Sequence, residues 1–185
     1  MSGKNSQDPP QNKKFRLEKS PFIFLKGLYN LNQLTMDLVA IQEHIEDNKE
    51  FIDNPLCQEG IYMTIDFFKK VGYKEPWIGY IAMQNGDAMG SAAFKGAPKN
   101  GIVEIAYGTF EPFRQKGIGT EICKLLVELS LKTDPSVTIT ARTLPQNNFS
   151  TRILQKNGFI FSGRVNDPED GDVWEWVYPK GEQER

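Results

Sequence analysis

One stretch limits what this chain can fold into more than any other: VEIAYGTFEPFRQKGIGTEICKLLVEL, Val103 to Leu129. Val103 to Phe110 is β-branched, aromatic and apolar without helical spacing, which predicts a strand. Pro112, the basic segment Arg114-Gln115-Lys116 and two glycines, Gly117 and Gly119, come next. Ile118, Ile122, Leu125, Leu126 and Leu129 then recur at helical intervals, with Glu121, Lys124, Glu128 and Lys132 on the other side. A strand therefore feeds a basic, glycine-bearing turn, and the turn opens a helix.

That junction has a definite chemistry. The first N–H groups of a helix lack partners within it, and the aligned peptide dipoles add partial positive charge there. Glycine at 117 and 119 removes side chains that would hold an anion away, and Arg114 and Lys116 add full charges. The combination predicts a phosphate or pyrophosphate site. The motif is R-x-x-G-x-G, Arg114 to Gly119. It is neither G-x-x-x-x-G-K-S/T nor G-x-G-x-x-G. Taken alone, a tight connection with solvated Arg114 and Lys116 would account for it. The strand before and the amphipathic helix after turn the expectation toward phosphate.

The 185 residues, 25% of them charged, suit one globular domain. A net charge of −2 gives no case for nucleic acid as a main partner. Cys57 and Cys123, far apart, form neither a disulfide framework nor a metal set, and Cys123 is expected as a buried or half-buried thiol. No apolar run is long enough to span a membrane and no signal peptide is visible, so no membrane partner is expected and the default location is cytoplasmic. Residues 1–14 are polar and proline-bearing and predict a flexible tail; 15–180 form the domain, and 181–185 a polar tail.

Along the chain, Pro21 to Lys26 predicts a first strand. Leu34, Leu38, Ile41 and Ile45 predict a helix from Gln33 to Glu46, with His44, the only histidine, beside its apolar face. Nothing near His44 completes a triad or a metal site. Leu56 to Val71 predicts a second helix with Ile61, Ile65 and Phe68 inward. Trp77 to Met83 and Ala88 to Phe94 predict strands joined through Asn85-Gly86, a strong hairpin signal. Gly96 to Gly101 is a further turn. Past the central helix, Val137, Ile139 and Ala141 alternate with Thr138, Thr140 and Arg142, a strand expected parallel to the one at Val103. Asn147 is a fitting N-cap for a helix through Ile153 and Leu154, closed by Gly158. Phe159 to Arg164 and Val173 to Tyr178 form a last hairpin around Asn166 to Asp172. Trp174, Trp176 and Tyr178 share one strand face, and packing is expected of them.

The R-x-x-G-x-G turn, joined to N-x-x-S-x-x-x-L-x-x-x-G-F from Asn147 to Phe159, resembles the GCN5-related N-acetyltransferase superfamily. Phe94 to Gly108 and the closing V-W-E-W are similar to its ribosomal-protein acetyltransferase (Rim) type branch. The resemblance covers roughly Trp77 to Tyr178. It implies a mixed α+β fold: a mostly antiparallel sheet of about seven strands, its fourth and fifth parallel and splayed, flanked by about four helices.

The resemblance also implies acetyl-CoA as co-substrate, with no metal. Its pantetheine arm would lie between the strand at Val103 to Phe110 and the strand at Val137 to Thr143, against the backbone of Tyr107, Gly108, Thr109 and Phe110. The pyrophosphate would sit on the N–H groups of Gln115, Lys116, Gly117, Ile118, Gly119 and Thr120, beside Arg114. Asn147 matches a family position near the thiol end; a cap role and a cofactor role both stand, and Ser150 either touches the cofactor or supports the same cap.

The implied reaction is direct transfer of an acetyl group to a primary amine, of a small molecule or a protein N-terminus, in a ternary complex. A base must take the ammonium proton. Glu104, which interrupts an apolar strand, matches the family's glutamate base; a strand glutamate paired with a lysine is the alternative, and Glu111 and Tyr107 are weaker choices. The family's usual acid is a tyrosine at the position held here by Leu154, which leaves the acid unassigned; Tyr178 and Ser150 are the other hydroxyls considered. The early acidic residues Glu43, Glu46, Asp47, Glu50 and Asp53 would either attract a cationic amine or form a solvated face. A non-catalytic acyl-CoA-binding domain is the alternative function, and the assembly is expected to be a monomer or a homodimer.

Overall fold

The computed structural model describes residues 35–168 and 170–180. The expected tails and the strand at Pro21 to Lys26 lie outside them. Seven strands make one sheet: β1 (Asp37–Ala40), β2 (Gly79–Gln84), β3 (Asp87–Phe94), β4 (Ile102–Thr109), β5 (Thr138–Thr143), β6 (Ile160–Asp167) and β7 (Gly171–Val177), in the order β1-β2-β3-β4-β5-β7-β6. Only β4–β5 is parallel; all other neighbours are antiparallel. The helices are α1 (Lys49–Ile52), α2 (Gln58–Val71), α3 (Ile118–Thr133) and α4 (Phe149–Lys156). The mixed architecture expected from the sequence is thus present. No described helix is long and apolar enough to cross a membrane.

The β2–β3 hairpin turns at Asn85 (φ 57°) and Gly86 (φ 87°), with Gln84 opposite Asp87. Two successive positive φ values are what a tight hairpin matched to strand twist requires. The connection from β4 to its parallel neighbour needs a crossover, and α3 provides it. Ile122, Cys123 and Leu126 of α3 are fully buried, with Val103, Ile105, Ile139, Ala141 and Leu154 in the same core. Burying a side chain such as Leu126 contributes ~2 kcal/mol. Cys123 is therefore the buried thiol the sequence predicted.

The expected helix from Gln33 to Glu46 is not formed by its described residues. Asp37–Ala40 is the edge strand β1, paired Asp37↔Met83 through Ala40↔Tyr80, and Ile41 N–H continues to Gly79 O at 2.9 Å. The apolar spacing of Leu38, Ile41 and Ile45 fits a helix, but cross-strand bonding to β2 satisfies the same residues and wins. His44 precedes a short 3-10 turn, Ile45–Asn48. Buried Asn48 organises this loop: its side chain accepts from Gln42 N–H (2.9 Å) and donates to Gln42 O (3.1 Å) and His44 O (2.8 Å).

At α4 the expected cap is displaced by one residue. Asn148, not Asn147, is the N-cap. Its side chain accepts from Thr151 N–H at 3.0 Å, while Thr151 Oγ1 accepts from Asn148 N–H at 3.1 Å. Two neighbouring asparagines are equivalent as caps on composition alone. Ser150 and Thr151 stand three residues beyond each, and it is the buried Thr151 that closes the reciprocal box, with Asn148. Gly158 (φ 84°) ends the helix as predicted. The last hairpin is tighter than expected, since β6 runs on to Asp167 and β7 begins at Gly171. Trp176 is buried and donates from Nε1 to Thr143 Oγ1 at 3.1 Å, and Tyr178 packs edge-on to Phe159, so these aromatics serve packing.

Candidate active site

β4 ends at Thr109 and runs through a 3-10 turn, Glu111–Phe113, into the residues before α3. There the backbone is left-handed twice, at Gln115 (φ 62°) and at Gly117 (φ 81°), the residue that caps α3. No side chain caps the helix. The N–H groups of Gln115, Lys116, Gly117, Ile118 and Gly119 donate to no described residue, while Thr120 N–H is bonded to Gly117 O at 3.0 Å. Five N–H groups, one fewer than the six expected, therefore point outward at the positive end of a 16-residue helix. Successive N–H groups in such a turn make an anion-binding concavity.

The two glycines do different work. A Cβ on Gly117 would meet nothing within 4 Å, so this position opens onto free space. A Cβ on Gly119 would lie 2.9 Å from Ile153 Cδ1 and 3.1 Å from Thr109 Oγ1. Gly119 is thus small because α4 and β4 approach α3 there, rather than for the anion. Lys116 bends back, its Nζ 3.1 Å from Pro112 O and 5.6 Å from the Phe113 ring centre. Arg114 is exposed and forms no ion pair with a described carboxylate.

Beside this turn the sheet opens. β4 and β5 pair from Ile102↔Thr138 to Ile105↔Ala141 and no further. Beyond that point β5 pairs with β7 at Arg142↔Glu175 and Thr143↔Trp174, while β4 stays with β3 through Gly90↔Thr109. Glu104 O and Phe110 N–H both bond toward β3, so strand alternation turns the backbone of Tyr107 and Thr109 toward the opening. Gly108 and Phe110 direct theirs to β3 instead. Of the four β4 residues expected along the pantetheine arm, two turn their backbone toward the opening.

The side chains of β4 divide between two faces. Val103, Ile105 and Tyr107 point toward α3. Glu104 and Ala106 point the other way, toward α2. A groove of about 440 Å³ lies there, lined by Met63, Thr64 and Phe67 of α2 and by Ala93, Lys95 and Ala106 of the sheet. Glu104 Oε1 is 3.5 Å from Lys95 Nζ, and its Oε2 is 3.5 Å from Arg142 Nε. Arg142 also reaches Asp167 Oδ2 at 2.6 Å and Glu175 Oε1 at 3.5 Å. These three carboxylates favour the charged guanidinium and raise the Arg142 pKa against the opposing effect of burial. Glu111 is exposed in the 3-10 turn, away from this network.

The remaining candidate side chains lie on β4 and at α4. Tyr107 Oη donates to Ser150 O at 3.4 Å, and the Cys123 thiol lies close enough to act on its ionisation. Burial, then Cys123, pushes the Tyr107 phenol well above its usual range, and burial raises Cys123 to about 12. Asn147, released from capping, is exposed with a side chain that bonds no described residue. Leu154 is 1% exposed in the core, so α4 offers no hydroxyl there.

Residues 31–160 match the family model described as "Acetyltransferase (GNAT) domain". The chain belongs to the GNAT acetyltransferase family. A curated relative, "Uncharacterized N-acetyltransferase YjdG" of Bacillus subtilis (strain 168), is 27% identical over 153 residues, 77% of this chain and 88% of that protein. Among solved structures, AAC(6')-Ib in complex with paromomycin and acetyl-CoA is 25% identical with a TM-score of 0.58, covering 79% of this chain and 94% of that one. RimL, the ribosomal L7/L12 alpha-N-protein acetyltransferase, in complex with coenzyme A, shares the fold at 19% identity and a TM-score of 0.55, covering 77% and 93%.

Two elements of this GNAT site escaped the sequence. Arg142 joins β4, β6 and β7 through one guanidinium; its place on the polar face of an alternating strand, like that of Glu104, was the available signal. Asn157 donates from Nδ2 to Thr120 O at 3.2 Å, tying the end of α4 to the first turn of α3. An asparagine before glycine reads as a helix end, and nothing in the sequence announces that reach. Among the described residues no cluster of His, Cys, Asp and Glu could hold a metal.

Proposed function

We propose that this GNAT protein moves an acetyl group from acetyl-CoA to a primary amine by direct transfer in a ternary complex, and that it stands with the Rim-type N-acetyltransferases. The observation that carries this is the pairing of five outward N–H groups at Gln115 to Gly119 with a β4–β5 ladder that stops at Ile105↔Ala141. An anion and a slender arm find their binding groups on adjoining segments of one strand–turn–helix. The solved relatives that hold coenzyme A or acetyl-CoA support the same assignment.

Acetyl-CoA supplies the activated acyl group. The N–H groups of Gln115 to Gly119, with Arg114 and Lys116, hold its pyrophosphate. The backbone of Tyr107 and Thr109 bonds the arm, and a free strand N–H there stabilises charge that develops on the carbonyl oxygen. Asn147 and Ser150 close the α4 side. The amine enters over the α2 face, where Glu104 accepts its proton through water. That face carries Glu104, Asp167 and Glu175 against Arg142 and Lys95, an excess of one negative charge that suits a cationic acceptor. The acceptor belongs to the class of small amines or protein N-termini.

The second function, a CoA-binding domain without transferase activity, draws on one observation: position 154 of α4 holds a buried leucine, with no hydroxyl to act as the acid. Thermal shift with acetyl-CoA, CoA and ATP, followed by free-thiol release over a panel of amines, decides between them. Stabilisation by both CoA species but not by ATP, together with thiol release, is the expected result. Equal stabilisation by ATP would remove the pantetheine groove, and stabilisation with no release over the panel would favour the binder.

A further inference from the structure

Leu154 is buried and offers no hydroxyl, yet a β4 hydroxyl reaches the backbone of α4. Tyr107 is the second residue past the last β4–β5 pair, so its backbone faces the opening while its side chain lies under α3 and α4. Its Oη meets the backbone carbonyl of Ser150, in the turn of α4 before Leu154. The hydroxyl thus sits where β4, α3 and α4 converge on the gap. We propose that Tyr107 is a catalytic residue that donates a hydrogen bond to the departing sulfur of the acyl thioester. The proposal rests on the acetyl-CoA assignment above.

Several features make Tyr107 a donor rather than a base. Burial holds the phenol above its usual range, so it remains protonated at every working pH. The one titratable neighbour acting on it, Cys123, is itself buried and neutral. The bond to Ser150 O is long at 3.4 Å, and a carbonyl is a weaker acceptor than a thiolate, so the hydroxyl can turn toward a developing charge. In the step itself the amine nitrogen forms the new bond to the carbonyl carbon. The C–S bond breaks with its electron pair going to sulfur. The ammonium proton leaves to the base and solvent, and the thiolate is finally protonated from water. Tyr107 stabilises the sulfur charge without surrendering its own proton, so no oxidant, reductant or further reactant is needed.

The test uses CoA itself as the probe, with no acceptor. Thiolate absorbance of the CoA complex is followed against pH, with the complex of desulfo-CoA as the blank for Cys57 and Cys123. In the wild-type protein the bound thiol should ionise more readily than free CoA. In Tyr107→Phe its pKa should rise by about one unit, a tenfold change in the ionisation constant, with CoA affinity nearly unchanged. Once an acceptor amine is found, kcat should fall about 100-fold with little change in KM for acetyl-CoA. If Tyr107→Phe fails to fold, the wild-type titration still decides: a bound thiol that titrates like free CoA overturns the proposal. So does an unaltered bound-thiol pKa in the variant. Failure of CoA to bind at all would instead overturn the acetyl-CoA assignment and this proposal with it.

Discussion

Replacing Gly117 separates charge from shape at the phosphate turn. Its φ of 81° costs a non-glycine residue ~1–2 kcal/mol. A small domain has ~5–15 kcal/mol to lose, so Gly117→Glu and Gly117→Lys should both fold. Both should melt lower by a similar amount, about 2–8 °C. Their Cβ meets nothing within 4 Å, so neither is rejected sterically by the protein. Binding should part them. A carboxylate ~5 Å from one pyrophosphate charge is repelled by about 3 kcal/mol at an effective dielectric near 20. The second phosphate charge adds to this and solvent at the exposed turn subtracts, so about 3 kcal/mol is the net expectation. That corresponds to roughly a 100-fold loss of acetyl-CoA affinity in Gly117→Glu. Gly117→Lys should bind as well as the wild type or better, and added salt should narrow the gap. Titration calorimetry with acetyl-CoA gives both values. Indistinguishable Kd values for the Glu and Lys variants would refute an anion at this turn.

Other consequences follow from single contacts. Asn148→Ala removes the cap and its reciprocal bond to Thr151 and should cost about 1–2 kcal/mol, read as a lower Tm, whereas Asn147→Ala should leave Tm unchanged. Glu104→Gln should slow turnover mainly at lower pH if Glu104 is the base; a pH–rate profile identical to wild type would take that role away. Tyr80 is raised to about 12 by burial and then by Glu75, so the fold favours its neutral form. That stabilisation is complete below pH 10, the usual tyrosine value, and is lost as pH climbs from 10 to about 12. Tyr80→Phe should flatten the alkaline loss measured by urea unfolding, and an equally steep loss would contradict it.

Much of this was legible because local chemistry and tertiary structure agree from Trp77 onward. The Asn85-Gly86 turn, the alternation in Val137 to Arg142 and the helical spacing after Gly117 each have one good solution. The early chain differs. Leu38, Ile41 and Ile45 satisfy a helix and an edge strand equally, and the partner that settles it, Tyr80 to Met83, lies some forty residues away. The turn was legible as a glycine-bearing junction between strand and helix, but the different surroundings of Gly117 and Gly119 were not. Gly119 is small because Ile153, on another helix, arrives there. Asn147 and Asn148 were indistinguishable because each has a hydroxyl three residues on, Ser150 or Thr151, and only the fold buries Thr151. The partners of Glu104 were hidden for the same reason: Lys95, Arg142, Asp167 and Glu175 meet only through strand order.

Among the described residues, the four pairs that join β4 to β5 are the only ladder between two leaves of sheet, β1 to β4 on one side and β5 to β7 on the other. The aperture between the leaves is therefore measured in rungs. One more rung past Ile105 and Ala141 would zip it shut; one fewer would deepen it toward the middle of the molecule. In a chain built this way, the length of the gap is set by where a seam of backbone bonds stops, before any lining side chain is chosen.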